Sequence, residues 1–426
     1  MKKNGLILFF VVLMCIPVAT KAQDDNEKQN FGLSWSGFVK NDFFFDSRQT
    51  VAAREGHFLL YPMPVSEDLD GNDINANGSL NFLSIQSRLR AKISGPDAFG
   101  AKTSGLIEGA FFGHTNPDIN GFRLRHAFVK LDWTNTQLLF GQYWHMMFVP
   151  ECFPGTVSFN TGVPFQYFSR NPQIRITQKA GDMLKISLAA ATQRDFASPG
   201  GYASLSNSMT PDMQLQFQLS PSEAFLVGVT GGYKTLLPRL QTDNAYEAEN
   251  LVSSFTSNAF IRVKTKPVTF KVQGIFAQNA YDGLMIGGFA VKDIVDPAKD
   301  YRTYTPVNTM SAWMDIHTNG KKWQAGVFAG YSQNLGSADE IADTVFSSGL
   351  HGTYMRGANI DYLYRVSPRV IFNAGKFRIA GEFEYTAAAY ATSDELGIIN
   401  RDEYGKITDS EIVANYRILM SVYYFF

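Results

Sequence analysis

Ile412-Val413-Ala414-Asn415-Tyr416-Arg417-Ile418-Leu419-Met420-Ser421-Val422-Tyr423-Tyr424-Phe425-Phe426 closes the chain. From Ile412 every second residue is apolar or aromatic. The intervening face carries Asn415, Arg417 and Ser421 among Leu419, Tyr423 and Phe425. A period of two with one wholly apolar face is a β-strand whose greasy side meets lipid or a core. The pattern recurs upstream. Met213, Leu215, Phe217 and Leu219 alternate with Gln214, Gln216 and Gln218, and Ile85, Leu89, Ala91 and Ile93 alternate with Gln86, Arg88, Arg90 and Lys92. Three glutamines on one face suit the wall of a water-filled lumen better than a soluble core, which assigns the apolar face to lipid.

Composition points the same way. Charged residues are 18% of the 426 and aromatics 14%; ordinary soluble domains carry about 25% charge. No apolar run after residue 22 approaches the ~20 residues of a membrane helix. The chain has two cysteines, which argues against a disulfide scaffold, and a formal net charge of -1, which gives no basis for nucleic-acid binding.

Lys2 and Lys3, the apolar run 6–16 and Thr20-Lys21-Ala22 form a secretory signal, residues 1–22. Its removal takes away Lys2, Lys3 and Lys21, so the 38 basic residues fall to 35 against 39 acidic. Residues 23–33 read as a short periplasmic tail and 34–426 as a single barrel domain.

About sixteen strand segments can be counted, joined alternately by short and long connections. Turns containing Pro, Gly, Asn or Asp fall at 133–136, 180–182, 220–223, 264–267 and 318–321. Long connections fall at 47–79, 148–166, 196–207, 237–249, 281–303, 336–351 and 392–408. The fold class is therefore all-β: a transmembrane antiparallel β-barrel with short periplasmic turns and long extracellular loops, in the cell outer membrane. Its fourteenth strand is placed at 352–366, in a region where Ser367-Pro368 and Asn373-Ala374-Gly375-Lys376 both look like turns.

The terminal strand ending in Phe426 resembles the C-terminal signature of outer-membrane barrels. Six further stretches resemble the DcaP-like porin family: Gly37-Phe38-Val39-Lys40-Asn41-Asp42, Gln86-Ser87-Arg88-Leu89-Arg90, Ile107-Glu108-Gly109-Ala110-Phe111-Phe112-Gly113, Arg123-Leu124-Arg125-His126-Ala127-Phe128, Gly141-Gln142-Tyr143-Trp144 and Asn171-Pro172-Gln173-Ile174-Arg175. The resemblance implies a sixteen-stranded barrel, a homotrimer, that passes small and often anionic solutes. It also implies that the third loop, 148–166, folds into the lumen as a constriction; an outer lid is the alternative. The long first loop, with Asp46-Ser47-Arg48-Gln49 and Arg54-Glu55-Gly56-His57, departs from the family.

The chemistry-bearing residues line the wall. Lys40, Arg88, Arg90, Arg123, Arg125 and Arg175 fall in strands one, two, four and six; parity turns Arg88, Arg90, Arg123, Arg125 and Arg175 inward, and Glu108, on the face of Ala110, should meet this group. An arginine bank in a narrow aqueous channel concentrates anions and orients carboxylates or phosphates through its planar fork. The plainer alternative is that these arginines solvate the wall and pair with acids such as Glu108 or Asp42. His126 and Lys130 share a face with Leu124 and Phe128, and Gln142 shares one with Leu138, Phe140 and Trp144. Polar groups on a lipid face are costly, so an intersubunit interface is expected around strands one, four and five.

Asp68-Leu69-Asp70-Gly71-Asn72-Asp73 hints at calcium but lacks the glycine and glutamate positions of an EF-hand loop. The histidines have no zinc spacing. No cofactor, no metal and no enzymatic activity are expected. The function expected is passive diffusion of small hydrophilic, anionic solutes. The alternative is a substrate-selective barrel or the membrane partner of a surface nutrient-binding complex.

Overall fold

The computed structural model describes residues 31–342, 352–395 and 399–426. The signal segment and most of the tail lie outside the described residues. Sixteen antiparallel strands close into a barrel. They are β1 Gly32–Asp46, β2 Ser79–Leu83 continued by Arg88–Ser94, β3 Lys102–Ala110, β4 Arg123–Asp132, β5 Thr136–Trp144, β6 Arg170–Ala180, β7 Leu184–Ala191 and β8 Asp212–Ser222. The second half is β9 Phe225–Leu236, β10 Val252–Lys264, β11 Val268–Gln278, β12 Tyr301–Thr318, β13 Trp323–Ser337, β14 Ile360–Ala374, β15 Phe377–Ala391 and β16 Ser410–Phe425. Closure comes from β1. It pairs with β2 on one edge, from Gly32 opposite Ser94 to Asp46 opposite Ser79, and with β16 on the other, from Phe38 opposite Phe425 to Asp46 opposite Arg417.

The alternation read from β16 orients the sheet. Ile418 is 56% exposed and Tyr424 53%, while Asn415, Arg417 and Ser421 are buried inside. On β8 the three glutamines are buried and Leu215, Phe217 and Leu219 face out.

Parity fails at three places, each for a local reason. Between Glu108 and Gly109 the β3–β4 register shifts so that Glu108 opposes His126 and Gly109 opposes Leu124, leaving Arg125 as an extra residue. Such a bulge re-aims every side chain beyond it. Phe128 and Lys130 consequently line an interior cavity with Gln216 and Gln218, and His126 is buried beside Arg125. Gln142 caps the irregularity, its amide donating to the carbonyls of Leu124 (3.2 Å) and Arg125 (3.0 Å). Gly141, at φ +130°, sits where a Cβ would come within 2.2 Å of the Ala127 carbonyl oxygen. Trp144 stacks inside on Phe148 at 3.8 Å. His126 and Lys130 therefore do not face lipid, and of the expected polar patch on β4 and β5 only Gln142, opposite Ala127, stays on the outer face, its amide spent on the bulge.

The second failure lies on β2, where a turn at 84–87, closed by the Ser87 amide on the Ser84 carbonyl, interrupts the strand. Ile85 turns into the interior core rather than to lipid. The third is the seventh hairpin. Ser367 and Pro368 continue β14, Pro368 opposite Val327, and the turn lies at Gly375, φ +62°. The fourteenth strand is thus 360–374, and Thr353–Arg356 pairs instead with Gly287–Asp296 of the sixth loop.

An apolar cluster crosses the lumen. The first loop supplies Phe58 and Leu60, the third Phe148, Phe159 and Phe165, the sixth Ile286, and the wall Trp313, Phe328 and Leu363. A charge on the outer face should oppose assembly. Ile418→Arg, near the middle of β16, places a cation in hydrocarbon at a cost of ~2–4 kcal/mol at the midplane. The expected outcome is a reduced yield of the folded, heat-modifiable form in gel electrophoresis, whereas Gln218→Ala on the inner face of β8 leaves that yield near wild type.

Candidate functional site

Neighbouring strands bring four of the expected residues together. Arg88 and Arg90 stand two apart on β2, and Arg90 opposes Glu108 of β3. The β4 bulge turns Arg125 onto the same carboxylate. Arg125 Nε donates to Glu108 Oε1 at 2.7 Å, Arg90 Nε to Oε2 at 2.7 Å, and Arg88 Nε lies 3.6 Å from Oε1. One buried glutamate thus holds three guanidiniums, and the group is left with excess positive charge. They border a cavity of about 450 Å³ between the wall and the third loop, shared with Gln86, His126 and Trp144.

Arg175 stands apart. Its Nε donates to Gln173 Oε1 (3.0 Å) and its Nη2 to the Trp144 carbonyl (2.5 Å). It borders a second cavity of about 200 Å³ with Lys130, Lys179 and Lys185 against Asp132 and Glu151. Lys40 is fully buried and reaches neither cavity freely. Its Nζ bonds Gln86, the Val157 carbonyl of the third loop at 2.9 Å and Asp42 at 3.0 Å. Arg123 joins Asp195 of the fourth loop (2.5 Å) and the Gly113 carbonyl (3.1 Å).

The third loop is fastened across the barrel. The Val157 amide donates to Glu382, Ser158 Oγ to Glu384 at 2.9 Å, Asn160 Nδ2 to Glu384 at 3.1 Å, and the Gly155 amide to Asp315 at 3.3 Å. Glu382 and Glu384 alternate with Gly381, Phe383 and Tyr385 on β15, so their inward parity was readable. Nothing in the pattern said that a loop would use them.

The first loop also enters the barrel, which its sequence did not signal. Its hairpin, Thr50–Ala53 with Phe58–Pro62, lies inside the mouth, and Arg54 and His57 at its turn are buried. Arg54 rests 4.3 Å from the centre of the Phe112 ring, with Arg125 at 5.5 Å, Arg123 at 5.9 Å and Arg170 at 6.0 Å from the same ring. Arg170, whose Nε donates to Asp195 at 2.7 Å, had no parity signal because it begins β6 at the edge of a loop. Six guanidiniums (Arg54, Arg88, Arg90, Arg123, Arg125 and Arg170) therefore gather around two carboxylates, Glu108 and Asp195.

Burial, and next the Arg123 charge, pull the Arg54 guanidinium down to about 9, so it remains a cation at neutral pH. Burial, and next Arg54, hold the His57 imidazole well below its usual range and therefore neutral. For Asp195 burial acts upward, but Arg170 and Arg123 outweigh it and keep the carboxyl below its ordinary value.

Among the described residues no group of histidine, cysteine or acidic side chains could hold a metal ion. Asp68 spends its carboxylate on its own loop, accepting from the Asp70 and Asn72 amides at 2.9 Å each.

This architecture is that of the transmembrane channels called porins. The outer-membrane channel DcaP of Acinetobacter baumannii superposes with a TM-score of 0.67 at 14% identity, covering 93% of this chain and 97% of that one. The trimer form of OmpT, an outer-membrane protein of Vibrio cholerae, gives 0.54 at 10%, covering 93% and 99%. An anion-selective porin from Comamonas acidovorans gives 0.53 at 8%, covering 93% and 100%. At these identities the likeness is one of fold. No protein-family profile matches the chain, and no curated protein sequence does.

Asp195 can be tested directly. Asp195→Ala strands two buried guanidiniums, and breaking such a pair costs about 3–5 kcal/mol. The barrel should lose its heat-resistant form at a lower temperature. A carboxyl held below its unfolded value stabilises the fold above pH ~4 and loses that effect as pH falls through its folded value. The gap between wild type and variant should therefore narrow below pH ~4.

Proposed function

We propose that the chain is an outer-membrane porin for passive diffusion of small hydrophilic anions, assembled as a homotrimer. The observation that carries this reading is a local one: three guanidiniums, Arg88, Arg90 and Arg125, meet the single carboxylate of Glu108 beside the cavity. Where water is sparse and low-dielectric walls focus the field, fixed charge sets which ions enter. The solute-contacting residues are Arg88, Arg90 and Arg125, with Arg175 in the neighbouring cavity. Glu108 positions the first three. Lys40 and Arg123 are assigned to holding the third and fourth loops, and the third loop to narrowing the channel. The likeness to an anion-selective porin and to a trimeric outer-membrane protein supports both parts of the proposal.

A substrate-selective barrel is a second reading, favoured by the apolar cluster that crosses the lumen. It predicts conduction only with a particular solute present.

In planar bilayers with a salt gradient, the reversal potential should report anion preference. Arg88→Ser with Arg125→Ser should shift it toward cations while leaving the barrel assembled. Cation preference in the unmodified pore would withdraw the role given to these arginines. Native mass measurement in mild detergent should give three chains per particle, and a monomer would remove the trimer.

A further inference from the structure

We propose that the first-loop hairpin, residues 50–62, is a gate seated in the mouth of the barrel, fastened by Arg365 and biased toward opening by the unpaired charge of Arg54. The proposal rests on the porin reading and adds the regulation of that pore.

The hairpin reaches across the mouth. At one side Arg365 of β14, fully buried, donates through Nη2 to the carbonyls of Leu59 (3.0 Å) and Leu60 (3.1 Å), and Tyr390 of β15 donates to the Pro62 carbonyl at 2.6 Å. At the other, the Glu55 amide donates to Asn116 of the second loop at 3.0 Å and Asn81 of β2 donates to the Glu55 carbonyl at 2.9 Å. Arg417 of β16 donates to the Gly56 carbonyl at 2.9 Å. Beneath it, Asn160 of the third loop accepts from the Leu59 amide at 2.8 Å, and the Phe58 ring packs on Phe159 (4.8 Å) and Phe168 (5.1 Å). Arg365 also donates through Nη1 to Val163 of the third loop at 2.8 Å, so one side chain ties both loops to the wall.

Against these bonds stands a cost. No nitrogen of the Arg54 guanidinium has a hydrogen-bond partner among the described residues, and neither ring nitrogen of His57 has one. Arg54 contacts aromatic faces, which recovers part of a cation's lost solvation but not its hydrogen bonds. Its neighbours at the Phe112 ring are other guanidiniums. Lifting the hairpin returns Arg54 and His57 to water. A seat made by hydrogen bonds to backbone carbonyls and opposed by an unsolvated cation has two accessible states rather than one.

The base of the hairpin stays fixed in both. Arg48 donates to the carbonyls of Met63 (2.8 Å) and Pro64 (2.9 Å) and pairs with Asp73 at 2.6 Å. The Met63 amide donates to the Gln49 carbonyl at 2.9 Å, so the two ends of the hairpin meet. A Gly-Gly link from Gln49 to Met63 can therefore replace residues 50–62 without opening the base.

Single-channel recording on assembled, heat-modifiable protein tests this. The Gly-Gly barrel should conduct more than wild type and lose its slow closures. Arg365→Met should raise the open fraction and Arg54→Met should lower it, each by at least about fivefold, the smaller end of what a buried polar group gains or loses with its partner. In the Gly-Gly barrel Arg365→Met should have no further effect, which separates the gate from a disturbance of the third loop. Equal conductance of wild type and the Gly-Gly barrel, or a higher open fraction in Arg54→Met, overturns the gate and leaves the porin reading standing. Assembled barrels that conduct neither with nor without the hairpin overturn both.

Discussion

A sheet that crosses a bilayer finds no water for its edges, so its first and last strands must pair with each other. Everything else in this molecule depends on that seam between β1 and β16. It is sealed inside by Arg417, which grips Asp46 at 2.9 and 2.6 Å, and by Ser421 on Asp42. The same Arg417 donates to the first-loop hairpin. Closure therefore fixes the wall and at the same time provides an anchor for what sits within it.

A sixteen-stranded wall encloses more space than its own side chains fill. Here the chain spends its long connections on that space. The third loop lies on Glu382, Glu384 and Lys40, the first-loop hairpin lies on the third loop through Asn160, and an apolar cluster runs through both. The charged groups beside this packing are unevenly matched: five arginines share two carboxylates, and Arg54 lies with them but has no carboxylate of its own among the described residues. On the proposed porin reading these loops narrow the passage, and a narrow passage gives fixed charge its weight.

Much of the wall was legible in the sequence because a two-residue period leaves few alternatives. β16 and β8 follow it throughout, and the orientation of the barrel came from them. It misled where a single residue changed the phase. The bulge at Arg125 sent His126 and Lys130 inward, the turn at 84–87 did the same to Ile85, and Pro368 sat within a strand where it reads as a turn. The arginines on β2 and their glutamate on β3 were found by parity. Arg54, Arg170 and Asp195 were not, because loop residues have no period and their meeting at the Phe112 ring depends on the closed barrel.

Anion passage as proposed requires uncompensated positive charge where Arg88, Arg90 and Arg125 meet Glu108 beside the third loop. Anomalous diffraction from crystals soaked in bromide and, separately, in rubidium measures it most directly. Bromide should appear in the cavity bordered by Arg88, Arg90 and Arg125, and rubidium should be absent there. Rubidium in that cavity with no bromide would contradict it.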